Sequence, residues 1–392
     1  MNDKIKIKTQ SGEEVEAHAP IIISASRSTD IPAFYAKWFI NRLRAGYCVW
    51  YNPFNQKPMY VSFNKCKVVV FWTKNPKPII PYLNELDERG IHYYFQFSLN
   101  DYEKEGFEPD LPPLQKRIET FKERSQCIGK EKVIWRFDPM IITPKLTPCE
   151  ILKRVETIGK QLKGYTDKLV FSFLDPYKKV KSNMDVPLDL AISYQKKLDN
   201  ESNDAYNKRN PNKEPKEIKL LSDAENIAVV NYEQQLTEIA EGLMKIRERW
   251  QQEGWEISLG TCAEQIDLER YGIEHNRCID GELMKRIFSD DTDLVYYLNY
   301  GKMPKIDLFY GQDGNDNPSL SPEKMKDTGQ RKACGCMISK DIGMYDTCGH
   351  FCVYCYANKK SREDIENNIK QHNCNSESII NMNNRQKAKQ KE

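Results

Sequence analysis

Short apolar runs alternate along the chain with longer segments of helical period. Six runs rich in β-branched and aromatic residues predict strands: Ile21 to Ser26, Val68 to Thr73, Tyr93 to Leu99, Val133 to Phe137, Leu169 to Phe173 and Trp255 to Leu259. Most are nearly continuous in apolar character, as strands covered on both faces are. After the first run, Asp30 is placed to cap a helix, Pro32 suits its first turn and Gly46 can end it. Ile151, Leu152, Val155, Ile158 and Leu162 mark another helix. Leu236, Ile239, Leu243, Ile246 and Trp250 mark a third, at spacings of three and four. Strands alternating with helices predict βα units and a mostly parallel sheet. The expected fold class is α/β, a TIM-like partial (β/α)6 barrel.

Polar residues gather where these strands end. They are Ser26 and Arg27; Thr73, Lys74 and Asn75; Gln96, Ser98 and Asn100; Arg136 and Asp138; Ser172 and Asp175; and Thr261, Cys262 and Glu264. An active face at the mouth of a parallel barrel requires such a gathering. The plainer account is that polar residues simply mark strand termini. Gln96 and Ser98 alternate with Phe95, Phe97 and Leu99, so the two-residue period points them into the interior, and Arg136 and Asp138 share a side. Lys74, Gln96, Arg136 and Asp138 are the candidate catalytic residues.

The expected organisation is a βα core over residues 18–300 and a cysteine-rich segment over 301–360 that completes the mouth. Asn200 to Glu217 is polar and poor in helix or strand signals, so it is read as an insertion or a lid. Gly311 to Lys326 reads as a loop, and residues 368–392 as a mobile tail rich in Asn, Lys and Gln.

Charged residues make up 30% and the net charge is +2, so no global field draws the chain toward nucleic acid or anionic lipid. The first eighteen residues hold no apolar run of signal-peptide length, and the densest apolar runs are too short to span a bilayer. The expectation is a cytoplasmic protein with no membrane partner. Tyr177, Lys178, Lys179 and Lys181, with Lys208, Arg209, Lys213 and Lys216, keep a nucleic-acid partner open. Mixed charge runs are more commonly a solvated face. No G-x-S-x-G, H-E-x-x-H or P-loop is present, and five histidines offer little general-base chemistry.

The twelve cysteines change the picture. In a reducing compartment, clustered thiols point to metal or redox chemistry rather than disulfides. Cys48, Cys66, Cys127, Cys149 and Cys374 stand alone. Cys348, Cys352 and Cys355 form C-x3-C-x2-C within D-T-C-G-H-F-C-V-Y-C-Y-A-N. Soft ligands at this spacing select zinc, copper(I) or an iron–sulfur cluster. A closed zinc site wants four protein ligands, whereas a four-iron cluster on three cysteines leaves one iron open. His350 is either a fourth ligand or a neighbour. A zinc knot completed by Cys334 or Cys336 is the competing account. Cys262, Cys278, Cys334 and Cys336 form a second set of four thiols, the complement of a closed [4Fe-4S] cluster or a tetrahedral zinc.

C-x3-C-x2-C with Tyr354 before the last cysteine resembles the signature of the radical S-adenosylmethionine superfamily. It follows all six candidate strands, where the superfamily places it after the first, so the chain looks like a permuted variant. The longer stretches Ser24 to Tyr35, Val70 to Pro76, Tyr94 to Leu99, Val133 to Pro139, Phe171 to Asp175 and Cys334 to Asn358 resemble the domain-of-unknown-function 1848 family. The resemblance implies a [4Fe-4S] cluster on Cys348, Cys352 and Cys355, S-adenosylmethionine on its open iron, and a 5′-deoxyadenosyl radical. It implies an electron donor such as flavodoxin or ferredoxin, and it names no substrate. By chemical type, Arg136 and Arg27 are candidates for the S-adenosylmethionine carboxylate. Asp138, Asp175 and Glu264 are candidates for its ammonium or ribose hydroxyls, and Tyr354 joins the cofactor-binding set. A nucleic-acid modifying or repair enzyme of the same chemistry and a zinc-stabilised, non-enzymatic barrel are the alternatives.

Overall fold

All six apolar runs become neighbouring strands in the computed structural model, which describes residues 3–176, 178–184, 186–304, 325–327, 329–331 and 333–380. The chain opens with β1 (Asp3–Lys8), β2 (Glu14–Ala19) and β3 (Ile22–Ala25), then α1 (Ile31–Phe34) and α2 (Ala36–Ala45). β4 (Tyr47–Tyr51), β5 (Pro58–Ser62), β6 (Val68–Thr73), α3 (Leu83–Glu88) and β7 (His92–Ser98) follow. Next come α4 (Leu114–Ile128), β8 (Val133–Met140), α5 (Pro148–Leu162), β9 (Lys168–Phe173), α6 (Lys178–Asn183), α7 (Asp189–Arg209) and α8 (Asp223–Gln252). The last elements are β10 (Ser258–Cys262), β11 (Ile273–Asn276), α9 (Gly281–Ile287), α10 (Thr292–Tyr300), β12 (Lys340–Asp341) and α11 (Arg362–Lys370).

The main sheet has eight strands in the order β11-β10-β9-β8-β7-β6-β3-β12, with parallel pairing between every neighbour. The sequence pattern missed its two edge strands, which are only four and two residues long. It also missed the small sheet β1-β2-β5-β4, whose strands mix exposed and buried positions. One backbone hydrogen bond, Met337 N–H to Ile279 O at 3.0 Å, joins the segment after β11 to the segment before β12. The segments flanking the two edges of the main sheet therefore meet.

The two faces of the strands feed separate cores. Ile23, Val69, Phe71, Phe95, Phe97, Trp135 and Phe171 pack against the helices. Ile22, Val68, Val70, Tyr94, Ile134 and Val170 alternate with them and form a second core with α9, α10 and the Cys334–Met337 segment. Gln96 and Arg136 belong to this second face and are buried.

Several details depart from the sequence reading. The sixth strand starts at Ser258, and Trp255 instead packs on Trp250 with its indole donating to Thr166 O at 2.9 Å. The helix after Asp30 breaks at Tyr35, and Asp30 caps only its first turn. The supposed insertion is helical as far as Arg209. Its asparagines do not break that helix; they face one side and hold the returning chain. Asn200, Asn203 and Asn207 amides donate to Lys219, Glu217 and Lys216 carbonyls at 2.7, 2.8 and 2.8 Å. The expected tail is packed as far as Ile380. Ser376 O accepts from the Trp38 indole at 2.9 Å, Glu377 O accepts from Val49 N–H at 2.7 Å, and Ile379 and Ile380 are buried. Residues 381–392, and most of the Gly311–Lys326 loop, lie outside the described residues.

Candidate functional site: two groups of thiols

The loop bearing Cys348, Cys352 and Cys355 lies across the carboxyl ends of β3, β6 and β7. Asp30, just after β3, organises the approach. Its Oδ1 accepts from the Thr73 hydroxyl at 2.8 Å and from Ala33 N–H at 2.9 Å. Its Oδ2 accepts from Lys74 N–H at 2.7 Å and lies 2.8 Å from His350 Nε2. His350 Nδ1 is buried without a partner among the described residues. Tyr35 donates to Thr347 O at 2.6 Å, Tyr356 to Arg27 O at 2.8 Å, and Asn358 Nδ2 to Cys348 O at 2.8 Å. Asp346 just before this loop and Phe351 within it stand at φ 59° and 50°, a left-handed conformation that side chains adopt only where the surroundings hold them.

Beneath the loop lies a buried polar network. Lys74 Nζ is 2.7 Å from Glu108 Oε1 and 2.9 Å from the Tyr354 hydroxyl, which also contacts Glu108. Asn100 Nδ2 reaches both partners at 3.2 Å, and Arg117 approaches the second Glu108 oxygen at 3.6 Å. Burial alone would raise the Glu108 carboxyl, but Lys74 and Arg117 outweigh it and hold it below its ordinary value. Glu108 likewise outweighs burial and raises Lys74. Burial pushes the Cys348 thiol up to about 12, and it raises Cys352 and Cys355 as well. Coordination to a cation reverses that preference for the protonated thiol.

The second group lies on the inner face, between the meeting edges of the sheet. Cys262 ends β10, and its Sγ is 3.1 Å from that of Cys278, just beyond β11. Ile279 N–H points at Cys336 Sγ, 3.4 Å away. Hydrogen bonding among the four thiols lowers Cys262 and Cys336 and raises Cys278, chiefly through Cys262, and Cys334, through Cys336. Arg136 donates to Cys278 Sγ at 3.0 Å and to Gln96 Oε1 at 3.1 Å, and pairs with Asp138. The guanidinium groups of Arg27 and Arg136 both lie over the Trp72 ring, 5.2 and 5.1 Å from its centroid. Arg27 Nη2 and Trp72 Nε1 are buried donors without an acceptor among the described residues. Among the described residues, no three His, Cys, Asp or Glu side chains converge in the geometry of a single bound metal ion.

The expected residues thus divide between two places. Lys74 and Tyr354 stand at the first thiol group, while Gln96, Arg136 and Arg27 serve the second. Arg136, the candidate for a cofactor carboxylate, holds Asp138 and Cys278 there. Asp138 also meets the Ser172 hydroxyl. Glu264 accepts from Phe173 N–H at 2.9 Å, and its burial pushes the carboxyl up to about 8. Asp175 pairs with Arg331. Of the basic residues, Lys208 on α7 pairs with Asp204 at 2.6 Å, and Lys216, on the chain returning along α7, sits 4.4 Å from the Tyr206 ring centroid. Tyr177 and the side chains of Lys178 and Lys179 lie outside the described residues.

Sequence reasoning missed Glu108 and Asp341. Glu108 carries no local signal. Asp341, however, stands in the quoted C-terminal stretch, and the serine-rich S-A-S-R-S segment exists to hold it. Its carboxylate accepts from the Ser24 and Ser26 hydroxyls and from Arg27 N–H, each at 2.8 Å.

A parallel α/β sheet carries two thiol groups, one over its strand ends and one at its seam. The chain belongs to the family described as Domain of unknown function (DUF1848), whose model matches residues 22–357. No curated protein and no solved structure matches it. Among the described residues, no helix is long and apolar enough to cross a membrane.

Proposed function

We propose that this chain is an iron–sulfur enzyme of the radical S-adenosylmethionine class, with Cys348, Cys352 and Cys355 as the ligands of its cluster. One observation carries the reading: the three thiols, Cys352 buried and Cys348 and Cys355 half-buried, sit on one short loop pinned over the carboxyl ends of three parallel strands, where α/β sheets present their sites. The meeting sheet edges and the separate inner core support a permuted, partial TIM-like barrel. When bound, a [4Fe-4S] cluster with S-adenosylmethionine supplies a 5′-deoxyadenosyl radical after reduction by a donor such as flavodoxin or ferredoxin. The donor set fits, since three soft sulfurs leave one iron of such a cluster open.

In this reading Asp30 and His350 fix the loop, and the Lys74–Glu108–Tyr354 network supports it from below. Lys74 places a positive charge near Cys352 and Cys355. Asp138, Ser172 and Glu264 line the inner mouth and offer acceptors to the ammonium and hydroxyl groups of a bound cofactor.

A second reading has its own observation. Asp30 orients the His350 ring through Nε2 and leaves Nδ1 unpartnered, as carboxylates orient metal-binding histidines. A structural Cys3His zinc would follow.

Anaerobic reconstitution with iron and sulfide decides between them. The expected result is iron with matching acid-labile sulfide that Cys352→Ser loses, and an electron paramagnetic resonance signal that S-adenosylmethionine alters. Zinc without sulfide at this group, released by His350→Ala, overturns the enzyme reading in favour of the second.

A further inference from the structure

We infer that Cys262, Cys278, Cys334 and Cys336 bind a second soft-metal centre, which fastens the two edges of the main sheet. This inference is independent of how the first thiol group is read.

The placement argues for it first. Cys262 and Cys278 belong to the β10–β11 edge, and Cys334 and Cys336 to the segment that leads into β12. Among the described residues one backbone bond, Met337 N–H to Ile279 O, spans the same junction, beside the contact of the His275 ring with Ala333 O. Gly281 lies at the junction too; a Cβ there would come within 2.4 Å of Met337 Sδ, so the two sides are in close contact. A centre held from both sides closes a gap that hydrogen bonds alone close poorly.

The surroundings argue for it second. Arg136 is buried and donates to Cys278 Sγ. Asn276 Nδ2 lies 3.6 Å from the same sulfur, and Ile279 N–H is directed at Cys336. Neutral thiols in an apolar core need no such company. Metal thiolates do, because sulfur that carries charge takes hydrogen bonds from the groups around it. Arg27 Nη2 and Trp72 Nε1 are two further buried donors on this inner face without an acceptor among the described residues. Four thiolates on a divalent ion leave a charge of −2, which Arg27 and Arg136, the latter shared with Asp138, offset in part.

The sulfur spacing sets the expectation for loading. Tetrahedral zinc with bonds of about 2.3 Å places its sulfurs about 3.8 Å apart. Cys262 and Cys278 stand at 3.1 Å, so a single ion asks for a smaller movement than the wider span of a four-iron cluster.

The test uses the full chain with Cys348, Cys352 and Cys355 all changed to Ser, which removes the first group. Zinc, iron and acid-labile sulfide are counted after purification without oxygen and after addition of zinc alone, or of iron and sulfide. The expected result is about one zinc, or iron with equal sulfide, retained per chain, with a melting temperature that falls on chelation. Adding Cys278→Ser abolishes that retention. Should that variant not fold, cobalt(II) added to the triple variant is expected to give the intense thiolate charge-transfer absorption of a four-sulfur site. A triple variant that retains no metal and gives no such band overturns the inference, as does a mass two hydrogens lighter that assigns Cys262 and Cys278 to a disulfide.

Discussion

His350 Nε2 lies 2.8 Å from Asp30 Oδ2, across 320 positions of sequence. The same carboxylate caps α1, takes the Thr73 hydroxyl and receives Lys74 N–H. One side chain thus fixes the start of the first helix, the end of β6 and the thiol loop together. Asp30→Ala leaves several buried groups unpaired and is expected to destabilise the fold by about 3 kcal/mol. Asp30→Asn keeps two acceptor positions and is expected to cost less, while weakening metal retention by the loop. Urea unfolding midpoints check the first effect, and metal content at equal protein checks the second. An alanine variant with the parent midpoint would show that the loop is fixed elsewhere.

Lys74 and Glu108 form a buried ion pair, with side chains 15% and 2% exposed. Removing one partner strands the other, and Lys74→Met is expected to destabilise by about 3–5 kcal/mol. Arg117, at 3.6 Å, softens that cost without meeting Glu108 in good geometry. The double variant Lys74→Met with Glu108→Gln is expected to recover part of the loss. A double-mutant cycle by chemical denaturation measures the coupling, and additive losses would mean the pair does not interact.

The sheet was legible because its central strands carry one physical signature. Val68–Thr73 forms over the span its apolar run marks, since strands buried on both faces admit few polar residues. Edge strands have no such constraint, and Lys340–Asp341 holds its place through pairing with Ile23 and Ser24 and through the hydroxyls gathered on the Asp341 carboxylate, none of which an apolar run would mark. The thiols were legible as groups, because spacing and residue type survive without coordinates. Their polar neighbours were not. Glu108 reaches Tyr354 from 246 positions away, and nothing near it in sequence marks it. Arg136 was found by its strand period, yet its partner Cys278 lies 142 positions on, so its role could not be read. The asparagines of α7 misled because a ladder to Lys216–Lys219 looks, in sequence, like loop composition.

Lys340 gives a pH signature. Burial lowers its amine from 10.5 to about 8, and its Nζ lies 3.2 Å from the Trp50 ring centroid. Between these values the unfolded chain binds a proton that the folded chain has released. Stability from this group therefore rises with pH from about 8 toward 10.5. Lys340→Met removes the term. The difference in stability between parent and variant is expected to shift in favour of the parent across that range, read from urea midpoints in matched buffers. A difference that stays flat would mean the amine remains charged in the fold.

Gly343 faces the cradle that holds Asp341. A Cβ at this position would stand 1.8 Å from Ser26 Oγ and 2.6 Å from Ser28 Oγ. Neither hydroxyl is free to turn away, since Ser26 donates to Asp341 Oδ1 at 2.8 Å and Ser28 approaches the same oxygen at 3.3 Å. Gly343 N–H completes that oxygen's shell at 2.9 Å. Gly343→Ala is therefore expected to break the cradle and cost about 1–3 kcal/mol through overpacking. The loss should be recovered in part by Ser26→Gly in the same chain, which opens the space while leaving Arg27 N–H and Ser24 on the carboxylate. Thermal melting of the two variants measures both steps. If Gly343→Ala melts with the parent, the serine cradle does not position β12, and the sheet edge beside β3 is held by the Cys334–Met337 segment instead.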